Sequence, residues 1–178
     1  NTRLVGSEMC IRDSYKSNKV EETISPSMDI QIASNFERLL YDLYDRDSEK
    51  IKNIMMKIKE NSFNIDPEVL TVLQKDFSSE CLQEIEILNI IKKFYTENNI
   101  VFDPHTAIGI GAVEKLNLSN VVILATAHPC KFPKAIQKAI SKTENLPENL
   151  NHIFDREEKF DILSNNLEKV KEYVVNSI

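Results

Sequence analysis

One stretch constrains the fold more than any other: Val121-Val122-Ile123-Leu124-Ala125-Thr126-Ala127-His128-Pro129-Cys130-Lys131-Phe132-Pro133. Its first five residues form a short, unbroken apolar run, which predicts a strand buried on both faces. The run ends on a hydroxyl, Thr126, followed by a histidine and two prolines. Beyond them Ala135, Ile136, Ala139 and Ile140 fall on one face of a helix. The order is therefore strand, polar turn, helix. In open α/β sheets ligands sit beyond the carboxyl ends of the strands, and Thr126 stands at that place.

The rest of the chain is mostly helical in pattern. Residues 15–22 are polar and predict a loop, as does the stretch from Thr23 to Ile30. Ser34-Asn35-Phe36-Glu37 has the form of a capping box, and Phe36, Leu39, Leu40, Leu43 and Tyr44 follow at helical spacing. Ser48 is placed to cap a second helix with Ile51, Ile54, Met55 and Ile58 inward. Asp66-Pro67 opens a third by the rule of a cap followed by Pro at the first helical position. A longer helix is predicted over about 80–97, with Leu82, Ile85, Leu88 or Ile87, Ile91 and Phe94 or Tyr95 inward. Asp103-Pro104 caps the next, whose small residues Ala107, Gly109, Gly111 and Ala112 permit close backbone approach. A short helix near 148–154 and a terminal one from Asn166, with Leu167, Val170 and Val174, complete the pattern. The predicted class is α/β: the helix-rich flank of a larger sheet, with few parallel strands of its own, which suggests a piece of a longer protein.

Charge and composition narrow the function. Acidic residues outnumber basic ones, 28 to 22, for a net charge of −6 and no basic tract. That argues against a nucleic-acid surface, which shows a basic stripe. No apolar run approaches the ~18–20 residues of a membrane span, and no signal peptide is visible. Cys10, Cys81 and Cys130 are odd in number and widely spaced, so they form neither a disulfide framework nor a metal motif. His105, His128 and His152 lack metal-ligand spacing, and no metal is expected. A reducing cytoplasm fits this cysteine usage. The three glycines, Gly6, Gly109 and Gly111, offer no loop in which backbone N–H groups could cradle a phosphate.

Several of these stretches resemble one family. Ala125-Thr126-Ala127-His128-Pro129 with Lys131-Phe132 is similar to the late motif of threonine synthase, a pyridoxal-phosphate (PLP) enzyme of fold type II. Ser25-Pro26-Ser27-Met28-Asp29-Ile30-Gln31 running into Ser34-Asn35-Phe36-Glu37-Arg38-Leu39-Leu40 resembles an upstream segment, and Asp103-Pro104-His105-Thr106-Ala107 a second. Leu146-Pro147 and the tail from Leu163 resemble the family's end. The blocks keep the family's order over roughly residues 20–178. Cys130 stands where the family pattern has a small residue such as Ala, a minor change in size.

The resemblance implies a task for Thr126. The protein tunes PLP through the partner of its pyridine nitrogen, and a neutral hydroxyl there can donate to an unprotonated nitrogen, giving a milder electron sink than a carboxylate would. The resemblance also implies conversion of O-phospho-L-homoserine and water to L-threonine and phosphate. His105 and Thr106 lie in a first helical turn, where anions are favoured. With Ala127, His128 and Lys131 they are candidates to line the site. Ser27, Asp29, Asn35 and Arg38 offer groups for a phosphorylated substrate, and Arg38 is the only guanidinium in a matched block. Each has a plainer reading: Thr126 as a structural hydroxyl, His128 as a turn-fixer, Lys131 as a solvated charge, Asp103 through Thr106 as an ordinary helix start. No lysine lies in a stretch matching the one that holds PLP in Schiff-base linkage, so no catalytic residue is assigned; that lysine and the phosphate loop are expected upstream.

Residues 1–14 do not match the family, and Val5 to Ser14 resembles translated sequencing-adapter read-through, so this segment is expected to be non-native and poorly packed. The expected division is then 15–102, a helical substrate-side region, and 103–178, the end of the PLP-binding α/β region. Two other functions stay open. One is a threonine-synthase-like protein that binds phosphorylated ligands without making threonine, distinguished by the presence or absence of the Schiff-base lysine. The other is a small cofactor-free α/β binding module, in which the 121–125 strand would be flanked and covered within this chain. The oligomeric state is not legible.

Overall fold

A computed structural model describes residues 14–16, 22–29, 34–60 and 62–177. Two compact units are present, Asn1–Glu144 and Asn145–Ile178. Residues 1–13 of the expected non-native segment lie outside the described residues.

The first unit has two apolar cores. One is built by α1 (Ser34–Leu43), α2 (Ser48–Glu60) and α3 (Pro67–Asp76). Phe36, Leu40 and Tyr44 meet Ile51, Ile54 and Ile58 of α2 and Leu73 of α3, all buried, as the helical spacing predicts. A small antiparallel ladder adds Phe63: β1 (Ser14–Lys16) pairs with β2 (Ser62–Asn64) in the register Tyr15 opposite Phe63. A loop had been expected at 15–22, because three residues are too short a run to show alternation. The caps also differ from expectation. Ser34 is the first residue of α1 rather than its cap. Asp47, not Ser48, caps α2, its Oδ1 accepting the Lys50 N–H at 2.9 Å. Asp66 precedes Pro67 as predicted, but its carboxylate takes Lys50 Nζ at 2.9 Å instead of a helix N–H, while its own N–H donates to Tyr44 Oη at 3.1 Å.

The second core holds α4 (Glu84–Asn98), α5 (Pro104–Lys115) and α6 (Pro133–Ile140), with α4 packed on both of the others. Ile87, Ile90 and Ile91 face Ala107, Ile108, Ile110, Ala112 and Ile136. Ile85, expected inward, is 62% exposed. The helix begins at Glu84, and at ~100° per residue Ile85 lies roughly opposite the buried stripe. Before α4, the Gln83 N–H donates to Glu86 Oε2 at 2.6 Å; this bond first, and Lys115 second, hold the Glu86 carboxyl below the usual range.

Gly111 is where α5 and α4 approach closely. A Cβ there would lie 2.1 Å from Leu82 Cδ2 and 2.6 Å from Ile90 Cδ1. Both neighbours are buried, so neither can swing into water. Gly111→Ala gains up to about 1 kcal/mol of helix propensity, but overpacking costs roughly 1–3 kcal/mol. The expected net result is destabilisation, read as a lower urea midpoint; a raised midpoint would mean that this contact is slack.

The run Val121–Ala125 forms no ladder with any described residue. Val122 is 93% and Leu124 77% exposed. The parallel strands expected of this chain are therefore not formed among the described residues, whose one sheet is the antiparallel pair. A strand needs a neighbour for its N–H and C=O groups, and among the described residues none pairs with this run. Ile123 alone packs inward, its Cγ2 3.0 Å from where a Cβ on Gly109 would be.

The second unit carries a 3-10 helix at Glu148–Asp155, at the place of the short helix expected near 148–154, and α7 (Leu167–Asn176). Asn166 caps α7 as predicted, its Oδ1 accepting the Lys169 N–H at 3.1 Å. Among the described residues no helix is long and apolar enough to cross a membrane.

Candidate active site

The N-terminus of α5 is the centre of a polar cluster within the second core. Asp103 fits the cap position because its short carboxylate reaches the first free N–H groups, and Pro104 needs no N–H partner. Its Oδ1 accepts from the N–H of His105 at 2.9 Å and of Thr106 at 3.4 Å. Asp103, His105 and Thr106 are all buried. His105 Nδ1 lies 3.1 Å from Asp103 Oδ1, and its Nε2 accepts the Ser27 N–H at 3.2 Å. An accepting Nε2 places the ring hydrogen on Nδ1, which therefore donates to the carboxylate. The imidazole also packs on the Phe132 ring at 4.8 Å. One side chain thus ties the 3-10 turn Pro26–Met28 to α5 and to the start of α6.

Thr126 joins this cluster from the unpaired run. Its N–H donates to Thr106 Oγ1 at 3.0 Å, and its hydroxyl lies 3.3 Å from that oxygen and 3.4 Å from each Asp103 oxygen. Thr106 Oγ1 in turn donates a short hydrogen bond to Asp103 Oδ2. Thr126 as a residue is exposed, while its hydroxyl is directed back at the cluster, donating to Asp103. The turn then continues through half-buried Ala127 to the 3-10 turn Pro129–Lys131. His128 caps that turn, with Nδ1 accepting the Cys130 N–H at 3.2 Å; its ring hydrogen is thereby left on Nε2, at the surface. Lys131 is exposed at the end of the same turn.

Of the candidates, Ser27, His105, Thr106 and Thr126 are linked by hydrogen bonds, and Ala127, His128 and Lys131 follow directly in the chain. Asp29 is turned to its own loop, accepting from Thr23 N–H at 2.7 Å and Thr23 Oγ1 at 2.8 Å. Asn35 and Arg38 hydrogen-bond to each other on the exposed side of α1, a helix that packs on α2 and α3. Asp103, expected as a helix cap, also joins His105, Thr106 and Thr126 through its two carboxylate oxygens. A usable signal was present: an aspartate followed three positions later by a threonine puts a hydroxyl within reach of the second carboxylate oxygen.

Chemically, the cluster presents one hydroxyl held by an acceptor-rich set, with an exposed imidazole and an exposed ammonium on the turn that follows in the chain. That donor set fits the nitrogen edge of an aromatic heterocycle such as PLP, where a single hydroxyl suffices.

Residues 106–174 match the family model "Threonine synthase, C-terminal". The threonine synthase of Pseudomonas aeruginosa is 36% identical over 165 residues, covering 90% of this chain and 35% of that protein. That of Saccharomyces cerevisiae is 36% identical over 162 residues, covering 76% and 32%. The crystal structure of PLP-bound threonine synthase from Brucella melitensis superposes with a TM-score of 0.79 at 36% identity, over 92% of this chain and 36% of that one. The chain spans about a third of the length of the curated relatives it matches.

Proposed function

The chain belongs to the threonine synthase family, whose C-terminal part it matches, and from that premise we propose that it serves an enzyme converting O-phospho-L-homoserine and water to L-threonine and phosphate with PLP. The observation that carries the proposal is Thr126: an exposed residue whose hydroxyl is held by Thr106 and Asp103, in the matched stretch. PLP, when bound, supplies the electron sink for replacement at the β and γ carbons of an amino acid. Thr126 would hold the ring nitrogen by a hydrogen bond from its hydroxyl. His128 and Lys131, on the turn that follows, present an N–H and a charge to the substrate's anionic groups. His105 keeps the 25–28 segment against α5 through the Ser27 N–H, and so fixes one wall. Asn35 and Arg38 are placed, in the same proposal, as donors on the substrate-side region 15–102, with 103–178 closing the cofactor region. The setting is the cytoplasm, with a small-molecule substrate and no nucleic acid. The free-standing module loses its support, because Val122 and Leu124 are exposed where it requires a covered strand.

The division of labour is testable on the chain itself. Mixed with PLP and treated with borohydride, it is expected to give no stoichiometric adduct, because none of its lysines lies in a stretch matching the Schiff-base segment. Peptide mapping and visible absorbance read the outcome. A single lysine labelled one-to-one would contradict the proposal.

A further inference from the structure

We propose that Asp103 is a positioning residue for the cofactor's ring nitrogen, acting through the Thr126 hydroxyl; the inference rests on Thr126 meeting that nitrogen. A helix cap accounts for only one of the two carboxylate oxygens. Oδ1 takes the His105 and Thr106 N–H groups, the ordinary capping pattern, together with the His105 ring N–H. Oδ2 is not used by the helix backbone. It accepts the Thr106 hydroxyl and stands 3.4 Å from Thr126 Oγ1. Serine or asparagine would cap α5 as well as aspartate does, so capping does not explain a second, fully buried oxygen aimed at two hydroxyls.

The hydrogen count shows what that oxygen does. Thr106 has one hydroxyl hydrogen and gives it to Asp103. Its oxygen is then an acceptor toward Thr126, and it takes the Thr126 N–H at 3.0 Å. The carboxylate thus sets the polarity of Thr106, Thr106 pins the Thr126 backbone, and Thr126 Oγ1, kept 3.3–3.4 Å from all three oxygens, donates its one hydrogen to Asp103 over a long 3.4 Å, a weak bond that it would exchange for one to the ring nitrogen. Thr126 lies in a segment with neither helix nor ladder, so side-chain bonds carry its placement. A hydroxyl fixed before the ring arrives loses less freedom on binding it. Asp103 touches neither cofactor nor substrate in this account; its effect passes through Thr126.

A double-mutant cycle on cofactor affinity tests this. The whole enzyme is stripped of PLP and titrated with it, followed by absorbance, for wild type, Asp103→Ser, Thr126→Val and the double variant. Asp103→Ser keeps a good cap and removes Oδ2. It is expected to weaken PLP binding about tenfold, or about 1.4 kcal/mol, and also to lower the melting temperature of the stripped protein, because the buried His105 ring N–H and Thr106 hydroxyl lose their acceptor; the affinity cycle is the readout that decides. The double variant is expected to bind no more weakly than Thr126→Val, because the two act as one unit. Additive losses would overturn the inference, as would a lowered melting temperature with unchanged affinity in Asp103→Ser; both leave the role of Thr126 standing. If Thr126→Val binds PLP as tightly as wild type, the nitrogen reading fails and the inference with it. Should Asp103→Ser not fold, Thr106→Val removes the hydroxyl between them and completes the same cycle, with the same results deciding.

Discussion

Thr126→Val in the whole enzyme is expected to slow turnover by about 5- to 150-fold. Valine keeps the shape and removes the hydroxyl, leaving a buried ring nitrogen without its partner, a loss of roughly 1–3 kcal/mol that maps onto rate by that factor if it falls on the transition state. Thr126→Ser keeps the hydroxyl and should retain much of the activity. A purely structural Thr126 gives a different result. Its bonds to Thr106 and Asp103 would then serve only the turn, and valine would lower the melting temperature while leaving turnover per folded molecule intact. Steady-state rate and melting temperature, measured on the same variants, separate the two.

Ile136→Ala is expected to destabilise strongly the core that carries the site. Ile136 is fully buried at the start of α6, within the core shared by α4 and α5. Truncating a fully buried isoleucine costs roughly 2–5 kcal/mol, the transfer loss plus the cavity left behind. Urea unfolding of the chain should show a lower midpoint with an unchanged slope. The matching control is Val122→Ala: at 93% exposed its effect should stay within about 0.5 kcal/mol. Equal losses at the two positions would mean that α6 is not seated as described.

Much of this architecture was legible because it is local. Helical spacing fixed which faces of α1, α2 and α6 turn inward, and Asp103-Pro104 announced the start of α5. Small residues at Gly109 and Gly111 foretold close approach, and Leu82, Ile90 and Ile123 fill the space a side chain would need. The errors were of two kinds. Asp47 rather than Ser48 caps α2, and Ile85 turns outward, because both depend on which residue begins the helix, and neighbouring candidates compete within a turn. The 121–125 run was read as a buried strand from its own apolarity. Pairing is a property of two segments, and a run supplies only one of them. Within the candidate site, the residues of the late motif and of the α5 start stand out in the sequence by their chemistry. Their connection does not: that Thr106 stands between Asp103 and Thr126 is a contact across 20 residues, set by packing of the 123–126 segment on α5. Asp29 bonds to Thr23 and Asn35 to Arg38 within their own segments, pairings that no sequence pattern announced.

The central claim is that this chain provides the hydroxyl that meets the ring nitrogen of PLP. The most direct test is a crystal structure of the whole enzyme with PLP bound, and the distance in it from Thr126 Oγ1 to the pyridine nitrogen. The account predicts a hydrogen bond of about 2.7–3.2 Å, with Thr106 and Asp103 still behind the hydroxyl. A nitrogen more than about 4 Å from Thr126, or one facing a carboxylate from another part of the protein, would contradict it.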